Sequence, residues 1–133
     1  MFLTPDLLSE YIECREVKEQ VVYVAQWHSL ISTYFEPEDV IQAMTIVYCE
    51  SRGKETAVGR NTNGTDDVGL WQFNDKTWAW LKPKLDIISN RKNPIISTKV
   101  AAWLVYNDGW HHWNSSKHCW KGHDNVLLSI NTQ

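Results

Sequence analysis

The pattern of apolar and polar positions predicts helices over most of the chain. Thr4-Pro5 places a hydroxyl cap before a proline, which is typical of a helix start. A second apolar pattern at helical spacing runs through residues 17–31. Glu36-Pro37-Glu38-Asp39 begins the next helix, because acidic side chains favour the positive end of the helix dipole. This third helix ends near Glu50 and carries an apolar stripe of Val40, Ala43, Met44 and Val47.

The middle of the chain breaks the helical pattern. Residues 52–66 are polar and rich in glycine and asparagine, and Asn63-Gly64 predicts the turn of a hairpin. In the segment 69–74, Gln72 and Asn74 alternate with Trp71 and Phe73. On a strand this alternation would turn the polar pair toward a cleft and the aromatic pair toward the core.

Two further helices are predicted in the second half. Asp75 is expected to cap a short helix that Pro83 stops. After a loop over residues 86–96, Ser97 is expected to cap a helix that Gly109 closes. A chain of mostly helices with one small β element predicts an α+β fold, mostly α, in two lobes.

Length and charge narrow the function. A chain of 133 residues is expected to form a single domain over residues 1–133. The net charge of −3, with no basic stripe, argues against a nucleic-acid partner. No stretch is apolar enough to insert into a membrane, and the first residues lack the features of a signal peptide.

The cysteines and histidines predict neither a dense disulfide framework nor a metal site. Three cysteines leave at least one unpaired within the chain; a Cys14–Cys119 bridge would fit, and Cys49 is expected to be a buried free thiol. The late histidines and Cys119 show no repeated ligand spacing, so no metal and no other cofactor is predicted.

Two carboxyl groups in different sequence contexts are the candidate catalytic residues. Glu50 lies near the end of an apolar helix, where the dipole disfavours an anion and helps to keep a carboxyl protonated. Asp67 lies where the predicted strand begins, with Asp66 as the competing candidate. Trp110 is a candidate to enclose Glu50 in an apolar pocket. A protonated and an ionised carboxyl together are what acid-assisted cleavage of a glycosidic bond requires.

The motifs around these carboxyls resemble the lysozyme superfamily, which includes C-type lysozymes, lytic transglycosylases and phage muramidases. The similar motifs are Glu50-Ser51-Arg52-Gly53 with Ala57, and residues 69–74. Residues 60–69 are similar to the β-hairpin of C-type lysozymes, which implies that Asp67 is the second catalytic residue. The resemblance implies a lysozyme-like two-lobed fold with a small antiparallel β-hairpin and a substrate cleft between the lobes. It divides the chain into an N-terminal helical segment, 1–35, and a catalytic core, 36–123.

The same resemblance implies substrate-binding residues. It supports Asn74, with Gln72 on the same face of the predicted strand, and Asn61 in the hairpin. Trp78 falls where lysozymes place a sugar-stacking tryptophan, although a core role competes equally. Trp110 begins a Trp-x-x-Trp segment whose first tryptophan packs on the catalytic glutamate in C-type lysozymes. The chain lacks their eight cysteines and their basic charge, so it is more similar to viral or bacterial members.

The implied function is retaining hydrolysis of the β-1,4 bond between N-acetylmuramic acid and N-acetylglucosamine in peptidoglycan. Glu50 would be the general acid, and Asp67 the nucleophile or charge stabiliser. Two alternatives stay open: a lytic transglycosylase that forms 1,6-anhydro products, and a non-catalytic glycan-binding domain of a virion. The expected partner is the peptidoglycan glycan strand, reached by a phage protein that is carried in a virion or tail assembly or released at lysis.

Overall fold

The computed structural model describes residues 22–121. The predicted first helix, Cys14 and residues 122–133 lie outside the described part. The described helices are α1 (His28–Tyr34), α2 (Val40–Ser51), α3 (Asp75–Lys84), α4 (Pro94–Asp108) and α5 (Lys117–Trp120). Two 3₁₀ helices, Pro37–Asp39 and Trp110–Ser116, precede α2 and α5. The strands are β1 (Val58–Arg60), β2 (Asp66–Val68) and β3 (Phe73–Asn74).

The helical pattern predicted over residues 17–31 is interrupted in the structure. Residues 22–25 are helical, a turn follows at residues 26–27, and α1 begins at His28. The Trp27 indole donates a hydrogen bond to the Gly53 carbonyl oxygen at 2.7 Å. This turn therefore packs against the residues that follow α2.

Helix α2 begins and ends close to the predicted positions. Its apolar stripe is buried, with Ala43, Ile46 and Val47 fully inaccessible. The helix ends because Arg52 adopts a left-handed conformation, with φ 56°. Its last turn therefore places Glu50 beside the sheet, at the edge of the core.

The three strands form an antiparallel sheet in the order β1-β2-β3. Arg60 pairs with Asp66, and the connecting turn is closed by a hydrogen bond from the Asn61 N–H to the Thr65 carbonyl oxygen at 2.9 Å. The predicted hairpin is thus confirmed. Asp67 pairs with Asn74 on the other side of β2, so the hairpin gains a third strand.

The predicted strand over residues 69–74 is mostly wrong. Residues 69–72 form a turn, and only Phe73 and Asn74 are in β3. Gly69 has φ +92°, and a Cβ at this position would lie 2.2 Å from the Arg91 carbonyl oxygen. Gln72 also has a positive φ, 51°, which is uncommon for a residue other than glycine. Gln72 and Asn74 therefore do not share a strand face by alternation.

Two predicted helix caps are displaced. Asn74, not Asp75, caps α3, because its side chain accepts a hydrogen bond from the Lys76 N–H. Pro83 lies inside α3 and does not stop it. Helix α4 begins at Pro94, with Asn93 as its cap, so Ser97 lies within the helix. A proline is well accommodated at the first helical position, because its missing N–H would have no partner there.

Gly109 closes α4 as predicted. Its φ of 95° lies outside the conformations that most residues adopt, and its N–H donates to the carbonyl oxygens of Leu104 and Val105. The chain reverses here and enters the 3₁₀ helix Trp110–Ser116.

Trp71 lies at the centre of the core and is fully buried. Its ring stacks on Phe35, with centroids 5.5 Å apart, and contacts Trp113 at the same separation. The indole donates to the Thr98 hydroxyl in α4 at 3.1 Å, so the buried N–H has a partner. The molecule is a mostly helical α+β fold with a small antiparallel sheet, as predicted.

A disulfide joins Cys49 in α2 to Cys119 in α5, with a Cα–Cα distance of 5.9 Å. The expectation of a free thiol at Cys49 was therefore wrong, and Cys119 pairs with Cys49 rather than with Cys14. Seventy positions separate the two cysteines along the chain, and they meet because α5 packs beside the end of α2. Within residues 22–121, no helix combines the length and apolarity needed to cross a bilayer.

Candidate active site

A pocket of about 140 Å³ lies between the sheet and the helical part of the molecule. Glu50 enters it from the end of α2, and Asp67 enters it from β2. The structure thus brings together the two carboxyl groups that the sequence singled out. The other residues that line the pocket are Trp71, Gln72, Phe73, Asn74, Thr77, His112, Trp113 and Ser115.

The surroundings of Glu50 favour its protonated form. Burial raises the pKa of the Glu50 carboxyl from 4.5 to about 7, and the negative charge of Asp67 adds to the rise. A hydrogen bond with the Ser116 hydroxyl opposes part of it. A carboxyl with a pKa near 7 can both hold and donate a proton at neutral pH.

Asp67 is held by hydrogen bonds within the sheet. Its Oδ1 accepts a hydrogen bond from the Asn74 amide at 2.8 Å, across the β2–β3 pair. The same amide donates to the Thr65 hydroxyl at 2.9 Å, and the Asn74 carbonyl oxygen caps α3. One side chain therefore fixes the Asp67 carboxylate, the hairpin and the start of α3.

Arg91 fixes the two strands from outside the pocket. Its guanidinium donates to the backbone carbonyl oxygens of Asp66 and Phe73 and forms an ion pair with Asp75 at 2.8 Å. Asp75 also accepts a hydrogen bond from the Asp66 N–H at 2.9 Å. The Asp66 N–H and Arg91 hold the pKa of the Asp75 carboxyl below its ordinary value. No local pattern predicts this role for Arg91, which lies in the predicted loop.

Trp113, not Trp110, lines the pocket with Glu50. Trp113 is almost fully buried, and its indole donates to the Trp71 carbonyl oxygen at 3.0 Å. Trp110 is half-buried and stacks on Phe35, with centroids 6.0 Å apart. The tryptophan pair was recognised in the sequence, but the turn of the 3₁₀ helix presents its second member to the pocket.

Three other predicted site residues have mainly structural contacts. Trp78 is 7% exposed and packs against Phe73, so neither ring face is open to a sugar. Asn61 is exposed in the hairpin turn, where its amide contacts the Thr65 hydroxyl, and it does not line the pocket. Gln72 lines the pocket, but its amide nitrogen already donates to the carbonyl oxygens of Ala57 and Gly69.

Asp66, the alternative to Asp67, does not line the pocket and forms an exposed ion pair with Arg60 at 3.5 Å. Several residues near Glu50 were not predicted from the sequence. Thr77, His112, Ser115 and Ser116 are brought there by the start of α3 and by the 3₁₀ helix after Gly109. Their residue types alone carry no signal for such a site.

One group of side chains in the described part could hold a metal ion. Cys119 is in the disulfide and is not available as a ligand. Asp108, His111 and His112 instead come together at the end of α4. His112 belongs both to this group and to the pocket.

Comparison with known protein families shows which family this chain belongs to. The model of the transglycosylase SLT domain matches residues 36–114. The chain belongs to the transglycosylase SLT domain family. Comparisons with curated proteins and with solved structures gave no match.

The SLT domain family is part of the lysozyme-like and lytic transglycosylase superfamily, so the predicted resemblance and the lysozyme-like fold are confirmed. Membership indicates a glycosyl-transferring enzyme that acts on peptidoglycan in the cell wall. The matched residues include both Glu50 and Asp67. The phage origin, the association with a virion and the division of the chain after residue 35 stay predictions.

Proposed function

We propose that this SLT domain protein is a muramidase that hydrolyses the β-1,4 bond between N-acetylmuramic acid and N-acetylglucosamine. Glu50 is the general acid, and Asp67 is the nucleophile or charge stabiliser. The observation that carries the proposal is the shared pocket of two carboxyl groups in unlike surroundings. Retaining glycosidases use one protonated and one ionised carboxyl in this way.

The proposed reaction begins with proton transfer from Glu50 to the glycosidic oxygen. The bond between that oxygen and C1 of the muramoyl residue breaks, and the N-acetylglucosamine end leaves as an alcohol. Positive charge develops at C1 and is stabilised or trapped by Asp67. Water then attacks C1, and its proton returns to the Glu50 carboxylate. Each turnover thus consumes one water molecule and restores both carboxyl groups.

The pocket suggests which other residues contact the glycan. Thr77, Ser115 and His112 line it with polar groups, beside the aromatic surface of Trp113. Asn74 contributes by holding Asp67, because its amide nitrogen already donates two hydrogen bonds. Trp78, Trp110 and Asn61 do not line the pocket, so the proposal gives them no role in the chemistry.

The family match favours a second candidate, a lytic transglycosylase. In that reaction the 6-hydroxyl of the muramoyl residue attacks C1 in place of water. Glu50 first donates its proton and then accepts the hydroxyl proton. The product is a 1,6-anhydro sugar, and Asp67 is not needed as a nucleophile.

Digestion of purified peptidoglycan, with the products analysed by mass spectrometry, tests both candidates. Reducing muropeptides from the wild type, absent with Glu50→Gln, would support the muramidase. Anhydro products, which are lighter by one water, would assign the transglycosylase instead. Binding of chitooligosaccharides without any product from either protein would indicate a glycan-binding domain without catalysis and would contradict the proposal.

A further inference from the structure

Three potential metal ligands meet where α4 ends. Asp108 is the last residue of α4, and the reversal at Gly109 returns the chain so that His111 and His112 lie over it. The Asp108 Oδ2 lies 2.7 Å from the His112 Nε2 and 3.2 Å from the His111 Nε2. The two imidazole rings are 4.3 Å apart. Two imidazoles thus converge on a single carboxylate oxygen.

This arrangement has the composition and spacing of a zinc site. Two histidines and one carboxylate are a donor set that zinc accepts with a water as fourth ligand. Ligands about 2 Å from a tetrahedral ion lie about 3.3 Å from one another. Here the His111 Nε2 lies 3.2 Å from the Asp108 Oδ2, and the His112 Nε2 is hydrogen-bonded to the same oxygen at 2.7 Å, a contact that a bound ion would replace. Small side-chain shifts would therefore bring all three to coordination distance.

The electrostatic setting also favours a cation. Asp108 supplies a full negative charge, and the carboxyl end of α4 adds the negative end of its dipole.

We propose that Asp108, His111 and His112 bind a divalent transition-metal ion such as Zn²⁺ at the rim of the pocket. The Asp108 and His111 side chains are about half exposed, so an ion can reach them from solvent. His112 also lines the pocket, and its ring contacts Trp113 edge-on. The bound ion would link the end of α4 to the 3₁₀ helix that covers Glu50. This site is separate from the chemistry proposed for Glu50 and Asp67, so either can fail alone.

Isothermal titration calorimetry of the full chain with Zn²⁺ tests the site. We expect one ion to bind the wild type, and His111→Gln and His112→Gln each to weaken binding by at least about tenfold, because ligand loss costs no less than loss of an outer contact. His28→Gln is the matched control, since it removes an exposed imidazole far along the chain from the site. Zn²⁺ should also raise the melting temperature of the wild type and of His28→Gln only.

Three outcomes would overturn the site. The first is a wild type that binds no Zn²⁺. The second is a His111→Gln/His112→Gln protein that keeps wild-type affinity, which would place the ion elsewhere. The third is equal binding of Mg²⁺, which prefers oxygen ligands and should not compete. If His112→Gln does not fold, the Zn²⁺ affinities of His111→Gln and Asp108→Asn still test the site. Both side chains are about half exposed, so these two variants should fold.

Discussion

Glu50 reaches the pocket from the end of a buried helix, whereas Asp67 reaches it from the middle strand of a small, partly exposed sheet. The first carboxyl is largely buried, and the ring of Trp113 lines the same pocket. The second carboxyl accepts a hydrogen bond from the Asn74 amide, and Arg91 donates to the backbone carbonyl oxygens of Asp66 and Phe73.

The two sides therefore give the same functional group different surroundings. Removal from water disfavours the charged form of Glu50, and its pKa rises to about 7. Asp67 instead accepts a hydrogen bond from the Asn74 amide. The negative charge of Asp67 further raises the pKa of Glu50, so each side also depends on the other. In the proposed mechanism, surroundings rather than residue type divide the roles of acid and charge stabiliser between the two carboxyls.

The largest expected effect is that of removing the acid. Glu50→Gln keeps the shape of the side chain but cannot donate a carboxyl proton, so kcat should fall by about 10³-fold. Release of soluble muropeptides measures the rate, and circular dichroism checks the fold. Glu38→Gln, an exposed glutamate just before α2, is the matched control and should keep wild-type activity. A Glu50→Gln protein within tenfold of the wild type would remove Glu50 from the mechanism.

The covalent link on the Glu50 side comes next. A bridge that closes a loop of 70 positions stabilises the fold by about 4 kcal/mol through the unfolded state. Cys119→Ser should lower the free energy of unfolding by about this amount in urea. Cys14→Ser, which removes the third cysteine, should not. Equal urea midpoints for Cys119→Ser and the wild type, both without reductant, would show that the bridge contributes nothing to stability.

Removal of the second charge separates the two proposed reactions. For a hydrolase, Asp67→Asn should lower kcat by about 10²-fold, because a preorganised charge facing the transition state is lost. For a transglycosylase the loss should be only a few-fold. Asp66→Asn is the control, since that carboxyl pairs with Arg60 and does not line the pocket. If Asp66→Asn were the more damaging change, the two aspartates would exchange roles.

The raised pKa of Glu50 also has a consequence for stability. The folded protein binds this proton up to about pH 7, whereas a free carboxyl loses it near pH 4.5. Stability should therefore fall as pH rises between these values, because the native state then holds more protons than the unfolded state. Glu50→Gln should remove the fall and be more stable than the wild type by about 3 kcal/mol at pH 8. Urea denaturation at pH 4 and pH 8 measures the free energy of unfolding of both proteins. An equal change between the two pH values for wild type and Glu50→Gln would contradict the burial of the Glu50 charge.

Much of the site was predictable because it depends on local patterns. The apolar stripe of α2 fixes where Glu50 lies, and the Asn63-Gly64 turn fixes the hairpin that carries Asp67. Each pattern involves a few neighbouring residues that favour the same local secondary structure. The resemblance then joined the two carboxyls, which spacing alone could not have placed in one pocket.

The remaining features depend on contacts between distant segments. Alternation over residues 69–74 predicted a strand, but the approach of the Arg91 backbone to Gly69 enforces a turn. The Cys49–Cys119 bridge depends on how α5 packs against α2. The choice of Trp113 over Trp110 depends on the 3₁₀ helix after Gly109. None of these contacts has a signature in the local sequence.

The smallest expected effect tests how hydrogen bonds hold the Asp67 side. Asn74 both caps α3 and donates to Asp67, and serine can replace only the cap because it is shorter. Asn74→Ser should therefore keep the cap but lower stability by about 1.5 kcal/mol, because the hydrogen bond to a charged group is lost. It should also lower kcat about tenfold, because a less precisely placed Asp67 slows the reaction.

Asn74→Ala removes both contacts and should lose about 1 kcal/mol more stability than Asn74→Ser, in addition to the activity. Urea denaturation and muropeptide release on the two variants separate the cap from the positioning of Asp67. If Asn74→Ser were as active as the wild type, the sheet would hold Asp67 without the amide. The Asp67 side would then depend on Arg91 and the strand pairing alone, and its carboxylate would be less precisely placed than that of Glu50.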